Sequence, residues 1–233
     1  YETKKVSKID GLISVTPLIC ERFKPFAKNV EMIANYPIEE EFDKNDFLGI
    51  RKKEKQICYI GGLFPIRGIR EIILALEYTD AKLVLAGEFL TPEFEVELRQ
   101  LKNWDRIEYV GIVNRKKIAE ILFQSHIGLV TLHPTRSFKE SIPIKMFEYM
   151  LAGLPVISSN FELWEKYVLE HNCGFMVDPL NPKAIADKIN LLLENEDLAS
   201  EMGENANKMV KKHYTWKSQE EKLIKFYNKI IHA

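Results

Sequence analysis

Glu140 and Glu148, with Lys145 between them, stand in the stretch HPTRSFKESIPIKMFEYMLAGLPVIS, His133 to Ser158. Pro143 fits the first turn of a helix, where a missing N–H costs nothing, so a helix is expected from Pro143 through Met150, stopping near Gly153. Ser141 and Ile142 then stand at its amino-terminal mouth and offer unpaired amides to an anion. If the helix is continued backward at about 100° per residue, Glu148 returns to within roughly 80° of Glu140, about 12 Å along the axis. The two carboxylates lie along one edge of a ligand rather than on one atom, and Lys145 adds charge to the same anion pocket. A ligand about 12 Å long, with an anion in its middle and hydroxyls at both ends, describes a nucleotide sugar. Taken singly, Glu140 reads as a solvated loop charge and Glu148 as a surface helix residue.

A second anion-binding arrangement is GGLFPIRGIRE, residues 61–71. Gly61, Gly62 and Gly68 let backbone approach a ligand, Arg67 supplies fixed positive charge, and a helix expected from Ile69 turns its amides and positive dipole end to the loop. The spacing is neither the dinucleotide fingerprint nor the P-loop. A tight strand-to-helix turn with an exposed Arg reads the same residues equally well. His133 follows a strand and so faces the crevice where ligands of parallel sheets bind. A ligand contact and a plain loop histidine beside Pro134 both fit it. His126 reads as structural, and His171, His213 and His232 as surface.

These loops need a scaffold, and the chain alternates short β-rich runs with helix-period runs from residue 56 onward, the pattern of a doubly wound parallel α/β sheet. Strands are expected at QICYIGG, KLVLAGE, IEYVGI, HIGLVTL, LPVISS and GFMV, several of them apolar throughout as strands covered on both faces should be. Helices are expected at IREIILAL, PEFEVELRQLKN, RKKIAEILFQS, PIKMFEYMLA and PKAIADKINLLLEN. Residues 1–40 hold two strands, GLISV and VEMIANYP, around one helix, too little to fold alone, and EEEFDKNDFLGIRKKEK reads as a charged linker. Two helical runs close the chain, and the stripe Trp216, Leu223, Phe226, Tyr227 and Ile230 is expected to dock on the core.

The chain has 233 residues with Lys plus Arg 33 against Asp plus Glu 34, so a sizeable core is possible and no general electrostatic case exists for nucleic acid. Cys20, Cys58 and Cys173 lack metal or redox spacing and read as reduced packing residues of a cytosolic protein. No apolar run reaches the roughly 18–20 residues of a membrane span. No Asp-x-Asp motif or His/Cys/Asp cluster appears, so no catalytic metal is expected. The first residue, Tyr1, suggests a fragment whose upstream chemistry is missing.

Glu140 and Glu148 followed by AGLPVISSN resemble the signature of family-4 retaining glycosyltransferases of the GT-B architecture, and the resemblance covers nearly the whole chain. YIGGLFPIRGIREIILAL is similar to that family's glycine-rich diphosphate loop, VGIVNRKKIAEIL to the segment lining the nucleotide base, and Pro-x-Lys-x-x-Glu to the variant of capsule and surface-polysaccharide enzymes. The resemblance implies a Rossmann-like donor-binding domain over residues 46–212, preceded at 1–45 by the end of an acceptor domain plus linker. Residues 213–233 would form a helix crossing back toward that acceptor domain. It also implies that Glu148 binds ribose, Glu140 the donor sugar, the amides of Ser141 and Ile142 phosphate or sugar, and the backbone at Ile112 and Val113 the base. Arg67 stands where the family has Lys. Gly62 stands where many members carry a second diphosphate-binding Arg, so either Lys145 compensates or phosphate binding is weaker. The implied enzyme is a metal-independent hexosyltransferase using a UDP or GDP sugar and no cofactor, with Arg67, Lys145 and Glu140 in the catalytic centre. Its acceptor, a glycan or lipid-linked chain, would be held by the missing domain, in the cytoplasm at the inner membrane face and with peripheral membrane association. The fragment alone is expected to bind donor and transfer poorly. A non-catalytic interaction module and a nucleotide-sugar epimerase are the other functions considered.

Overall fold

The computed structural model describes residues 2–50 and 52–231; His232 lies outside them. A short helix α1 (Glu2–Val6) leads into β1 (Leu12–Ser14), α2 (Pro17–Phe23) and β2 (Val30–Met32), and the two strands pair in parallel. The segment expected to be a charged linker instead coils into two 3-10 turns, Glu39–Phe42 and Lys44–Phe47. Its two aromatics explain why it docks: Phe42 is buried, and the Phe47 ring lies 4.9 Å from that of Phe123.

The main sheet comprises β3 (Gln56–Ile60), β4 (Lys82–Ala86), β5 (Ile107–Gly111), β6 (Ile127–Val130), β7 (Val156–Ser159) and β8 (Gly174–Val177). Every pairing is parallel, in the order β5-β4-β3-β6-β7-β8. Between its strands run α3 (Ile69–Ala75), α4 (Pro92–Arg99), α5 (Arg115–Gln124), α6 (Arg136–Lys139), α7 (Ile144–Leu151) and α8 (Glu162–Val168), followed by α9 (Pro182–Glu194), α10 (Glu196–His213) and α11 (Trp216–Ile231). One apolar core gathers Cys58, Ile60 and Val130 with α5, α7, α8 and α10; the other gathers Ile57, Tyr59 and Leu129 with α3, α4 and α9. Alternate residues of β3 thus feed both faces, which is why the strand is apolar after Gln56 and buried along its whole length. This is a doubly wound, Rossmann-like α/β fold.

The strand order sets the position of the site. From β3 the chain winds outward through β4 to β5, then returns to lay β6 on the other side of β3. The loops leaving β3 and β6 therefore stand at the switch point of the sheet, the place where ligands of such folds bind. Those two loops carry Gly61 to Gly68 and His133 to Lys145.

The closing helix does not dock on this sheet. A side chain at Gly11 would run into Ile230 and the Phe226 ring, the Trp216 amide donates to the Pro37 carbonyl at 2.8 Å, and the Ala34 amide donates to Gln219 Oε1 at 3.0 Å. α11 thus packs against the segment around β1 and β2. The stripe expected to be covered is covered only in part, since Phe226 is buried while Tyr227 is exposed. No helix of the described residues is long and apolar enough to cross a membrane.

Candidate functional site

The site is organised by α7, which is buried from Lys145 to Leu151. Tyr149 fixes it to the sheet. Its hydroxyl accepts from the Ile60 amide at 2.8 Å, and its ring fills the space that a side chain at Gly128 would take. One turn earlier, Lys145 is thereby brought to the end of β3. Its Nζ lies 3.7 Å from the centre of the Tyr59 ring and would stand 2.7 Å from a Cβ on Gly61. Gly61 sits at φ +129°, in a region other residues rarely adopt, so the conformation and the room for the amine both require glycine there.

Lys145 Nζ is buried and has no hydrogen-bond partner among the described residues. Burial, then the nearby Arg67, holds its pKa well below the ordinary lysine range, against the attraction of Glu148 and Cys58. A buried polar group left unpaired costs about 1–3 kcal/mol. Arg67, at the end of the 3-10 turn Pro65–Arg67, lies 5.5 Å from the ring centres of both Phe64 and Phe138, and its buried Nε also lacks a partner. Two cations with unused donors thus share one corner.

Glu148 is not the surface helix residue it resembles in isolation: its side chain is 7% exposed. Arg115 Nη2 approaches Glu148 Oε1 at 2.7 Å, so this carboxylate enters the protein interior already paired.

The short helix α6 and the break after it change the expected geometry around Glu140. Thr135 caps α6 and Glu140 ends it, while Pro143 sits extended at the cap of α7 with φ −77° and ψ 123°, so α7 starts at Ile144 rather than at Pro143. A proline disfavours helical backbone in the residue before it, which separates the two helices. The backward extension of one helix from Glu148 to Glu140 therefore does not describe this chain. Glu140 pairs with Arg136 at 2.9 Å and its side chain stays 38% exposed. Ser141 corrects a second expectation. Its amide is not unpaired but donates to the Phe138 carbonyl, and its own carbonyl accepts from Trp164 Nε1 at 2.8 Å. The Met146 amide already donates to the Pro143 carbonyl at 3.2 Å, so the first-turn amides without an acceptor inside the helix are those of Ile144 and Lys145. Ile142 packs half-buried against the core.

The remaining expected residues fall around the same crevice. A side chain at Gly62 would press on the Phe64 ring, and one at Gly68, which has φ +74°, would run into the Thr131 carbonyl at the end of β6. The glycines of this loop thus make room for protein atoms. His133 Nε2 lies 3.0 Å from Glu71 Oε2 without the angle of a hydrogen bond, and its amide donates to the Ile66 carbonyl, which ties the β6 loop to the β3 loop. Ile112 is exposed and Val113 half-buried, in the loop from β5 to α5. Among the described residues no group of three or more His, Cys, Asp or Glu is arranged to hold a metal ion. Sequence reasoning missed Arg115. Its signal was an arginine opening a helix whose first turn has no acidic residue, against the preference of the dipole.

Residues 40–209 match the family model described as glycosyl transferases group 1. The chain belongs to this family. It is 26% identical over 218 residues to the N-acetyl-alpha-D-glucosaminyl L-malate synthase of Bacillus anthracis, a match covering 88% of this chain and 54% of that protein. It is 22% identical to the poly(ribitol-phosphate) alpha-N-acetylglucosaminyltransferase of Staphylococcus aureus, over 98% of this chain and 46% of that enzyme. The chain spans about half the length of these relatives. Among solved structures, sucrose-phosphate synthase from Thermosynechococcus elongatus aligns with a TM-score of 0.80 at 19% identity, over 99% of this chain and 61% of that one. Anabaena HepE in complex with UDP and glucose aligns with a TM-score of 0.78 at 17% identity, over 97% of this chain and 65% of that one. The shared fold is that of the GT-B glycosyltransferases.

Proposed function

We propose that this chain is the donor-binding half of a retaining, metal-independent glycosyltransferase that moves a sugar from a nucleoside diphosphate sugar to a glycan or lipid-linked acceptor. The observation that carries the proposal is Lys145, an amine held in the crevice beside Arg67 with no acceptor of its own. A diphosphate supplies the missing acceptor, and its negative charge offsets the burial and the nearby Arg67 that disfavour the protonated amine. As the bond from the sugar carbon to the phosphate oxygen breaks, negative charge grows on the leaving diphosphate. The fixed donors of Arg67, Lys145 and the first turn of α7 stabilise it there. Glu148 accepts from the ribose hydroxyls, and Ile112 and Val113 flank the base. Glu140, accessible and held only by the exposed Arg136, takes hydroxyls of the sugar. Glu140 attacks nothing: the acceptor hydroxyl enters from the face the diphosphate leaves, and its proton departs with the phosphate oxygen. Ser141, Ile142 and His133 shape the mouth of this pocket, and Lys145 takes the place of an arginine at Gly62.

UDP bound to HepE supports a UDP donor, with GDP as the other base to test. The poly(ribitol-phosphate) acceptor named for the Staphylococcus aureus relative supports a polymeric acceptor, and the proposal carries with it a role in surface polysaccharide synthesis at the inner membrane face. Residues 1–45 and the closing helix belong to the acceptor half in this reading. Ile13, Val15, Leu18, Ile19 and Phe26 are exposed there, a surface that the rest of such a domain would cover. Calorimetric titration with UDP, GDP, UDP-glucose and GDP-mannose is the test. One base should bind, Glu148→Ala should weaken it, and Arg67→Ala should weaken it more at low salt. Unchanged affinity in both variants would sink the assignment.

A further inference from the structure

Arg115 opens α5, where its cation meets the positive end of the helix dipole and no acidic residue of the first turn offsets it. The arginine is held there by carboxylates from two other segments. Its Nη2 lies 2.7 Å from Glu148 Oε1 on α7, and the same nitrogen donates at 2.6 Å, with Nε at 3.1 Å, to Glu41 Oε2. The guanidinium carbon stands 5.5 Å from the centre of the Phe42 ring. Burial works against the charge of Arg115, yet hydrogen bonding to Glu41 and the pull of Glu148 hold its pKa above the ordinary value.

The three partners are not equally exposed. The Glu148 side chain is 7% exposed, that of Glu41 30% and that of Arg115 44%. Glu148 therefore depends most on the pair, because a carboxylate taken out of water loses its hydration and needs a cation or hydrogen-bond donors beside it. The charged groups that influence it are Arg115 from α5 and Lys145 from its own helix. Of the two, Arg115 is the one in direct contact, at 2.7 Å. The contact uses Oε1, and among the described residues no hydrogen bond to Oε2 is found. Oε2 is therefore the oxygen left for a ligand.

We infer that Arg115 is a positioning residue for donor binding: its contact with Oε1 holds the Glu148 carboxylate turned so that Oε2 meets the ribose hydroxyls, and through Glu41 it ties that arrangement to segment 39–42. The inference rests on the reading of Glu148 as the ribose-binding group. It makes nucleotide affinity depend on Glu41, a residue outside the nucleotide pocket, in the segment joining the small parallel pair to the main sheet.

The test is calorimetric titration of wild type, Arg115→Ala, Arg115→Lys and Glu41→Gln with three probes: UDP, 2′,3′-dideoxy-UDP and inorganic pyrophosphate. If the wild type prefers GDP, the guanosine pair replaces the uridine pair. The wild type should prefer the full ribose by about tenfold or more, the worth of a charge-assisted hydrogen bond. Arg115→Ala should lose that preference while pyrophosphate affinity holds within about twofold, Arg115→Lys should recover part of it, and Glu41→Gln should reduce it. Retention of the ribose preference in Arg115→Ala would overturn the inference, and so would equal loss of UDP and pyrophosphate, which marks a structural role. A wild type that binds neither UDP nor GDP would overturn the donor reading itself.

Discussion

Lys145→Met should make the protein more stable and less able to bind a nucleoside diphosphate. Lys145 Nζ is buried without a partner over the Tyr59 ring, so the folded state carries an unsatisfied amine that water would solvate in the unfolded chain. Methionine keeps an apolar stem through Cε, one atom shorter, and removes the polar group. Relief of one orphaned polar group is worth about 1–3 kcal/mol. The lost attraction to Glu148 reduces this, leaving about 1–2 kcal/mol, or roughly 2–8 °C in melting temperature for a chain of this size. The folded pKa of Lys145 lies below its ordinary 10.5, so the unfolded chain binds the extra proton between those two values. Wild-type stability therefore rises with pH across that window, and the advantage of the variant should shrink as pH increases. Thermal melts at pH 6.5 and pH 9, paired with UDP and GDP titration at pH 7, measure both sides. A variant that melts at or below the wild-type temperature at pH 6.5, or that binds nucleotide as the wild type does, would refute the reasoning.

Gly61→Ala should cost about 1–3 kcal/mol in denaturant unfolding and weaken nucleotide binding, because its Cβ would meet Lys145 Nζ at 2.7 Å on a backbone at φ +129°. Adding Lys145→Met should recover only the steric part of the stability loss. Gln219→Ala leaves the buried Ala34 amide without its acceptor, so it should cost about 1–3 kcal/mol and raise proteolysis within residues 11–37 while nucleotide affinity is unchanged. Glu140→Gln should leave UDP affinity within about twofold but weaken UDP-glucose, since a solvated group paired only with exposed Arg136 has no part in holding the diphosphate.

The sheet was legible because its central strands are buried on both faces and its helices keep their period: ICYI and LVLA are the short apolar runs expected of covered parallel strands. The loops at the switch point could be located for the same reason. The helix carrying Glu148 was legible in position but not in burial, because a Glu at helical spacing looks the same whether it faces water or an arginine supplied from residue 115. The charged stretch from residue 39 read as linker since its acidic run hides Phe42, whose burial depends on a helix far along the chain. Glu140 was misplaced by treating two helices as one. Pro143 signalled a start, but the turn capped by Thr135 lies in a segment too short for periodicity to register. The partial cover of α11 could not be read from its stripe, because what covers it is the small β1-β2 unit rather than the main core.

The most direct test of the account is a structure of this chain with the nucleoside diphosphate that binds it best. The account predicts the diphosphate between Arg67, Lys145 and the first turn of α7, the ribose hydroxyls on Glu148, and the base against Ile112 and Val113. A nucleotide bound elsewhere, or one whose phosphates avoid Lys145, would contradict it.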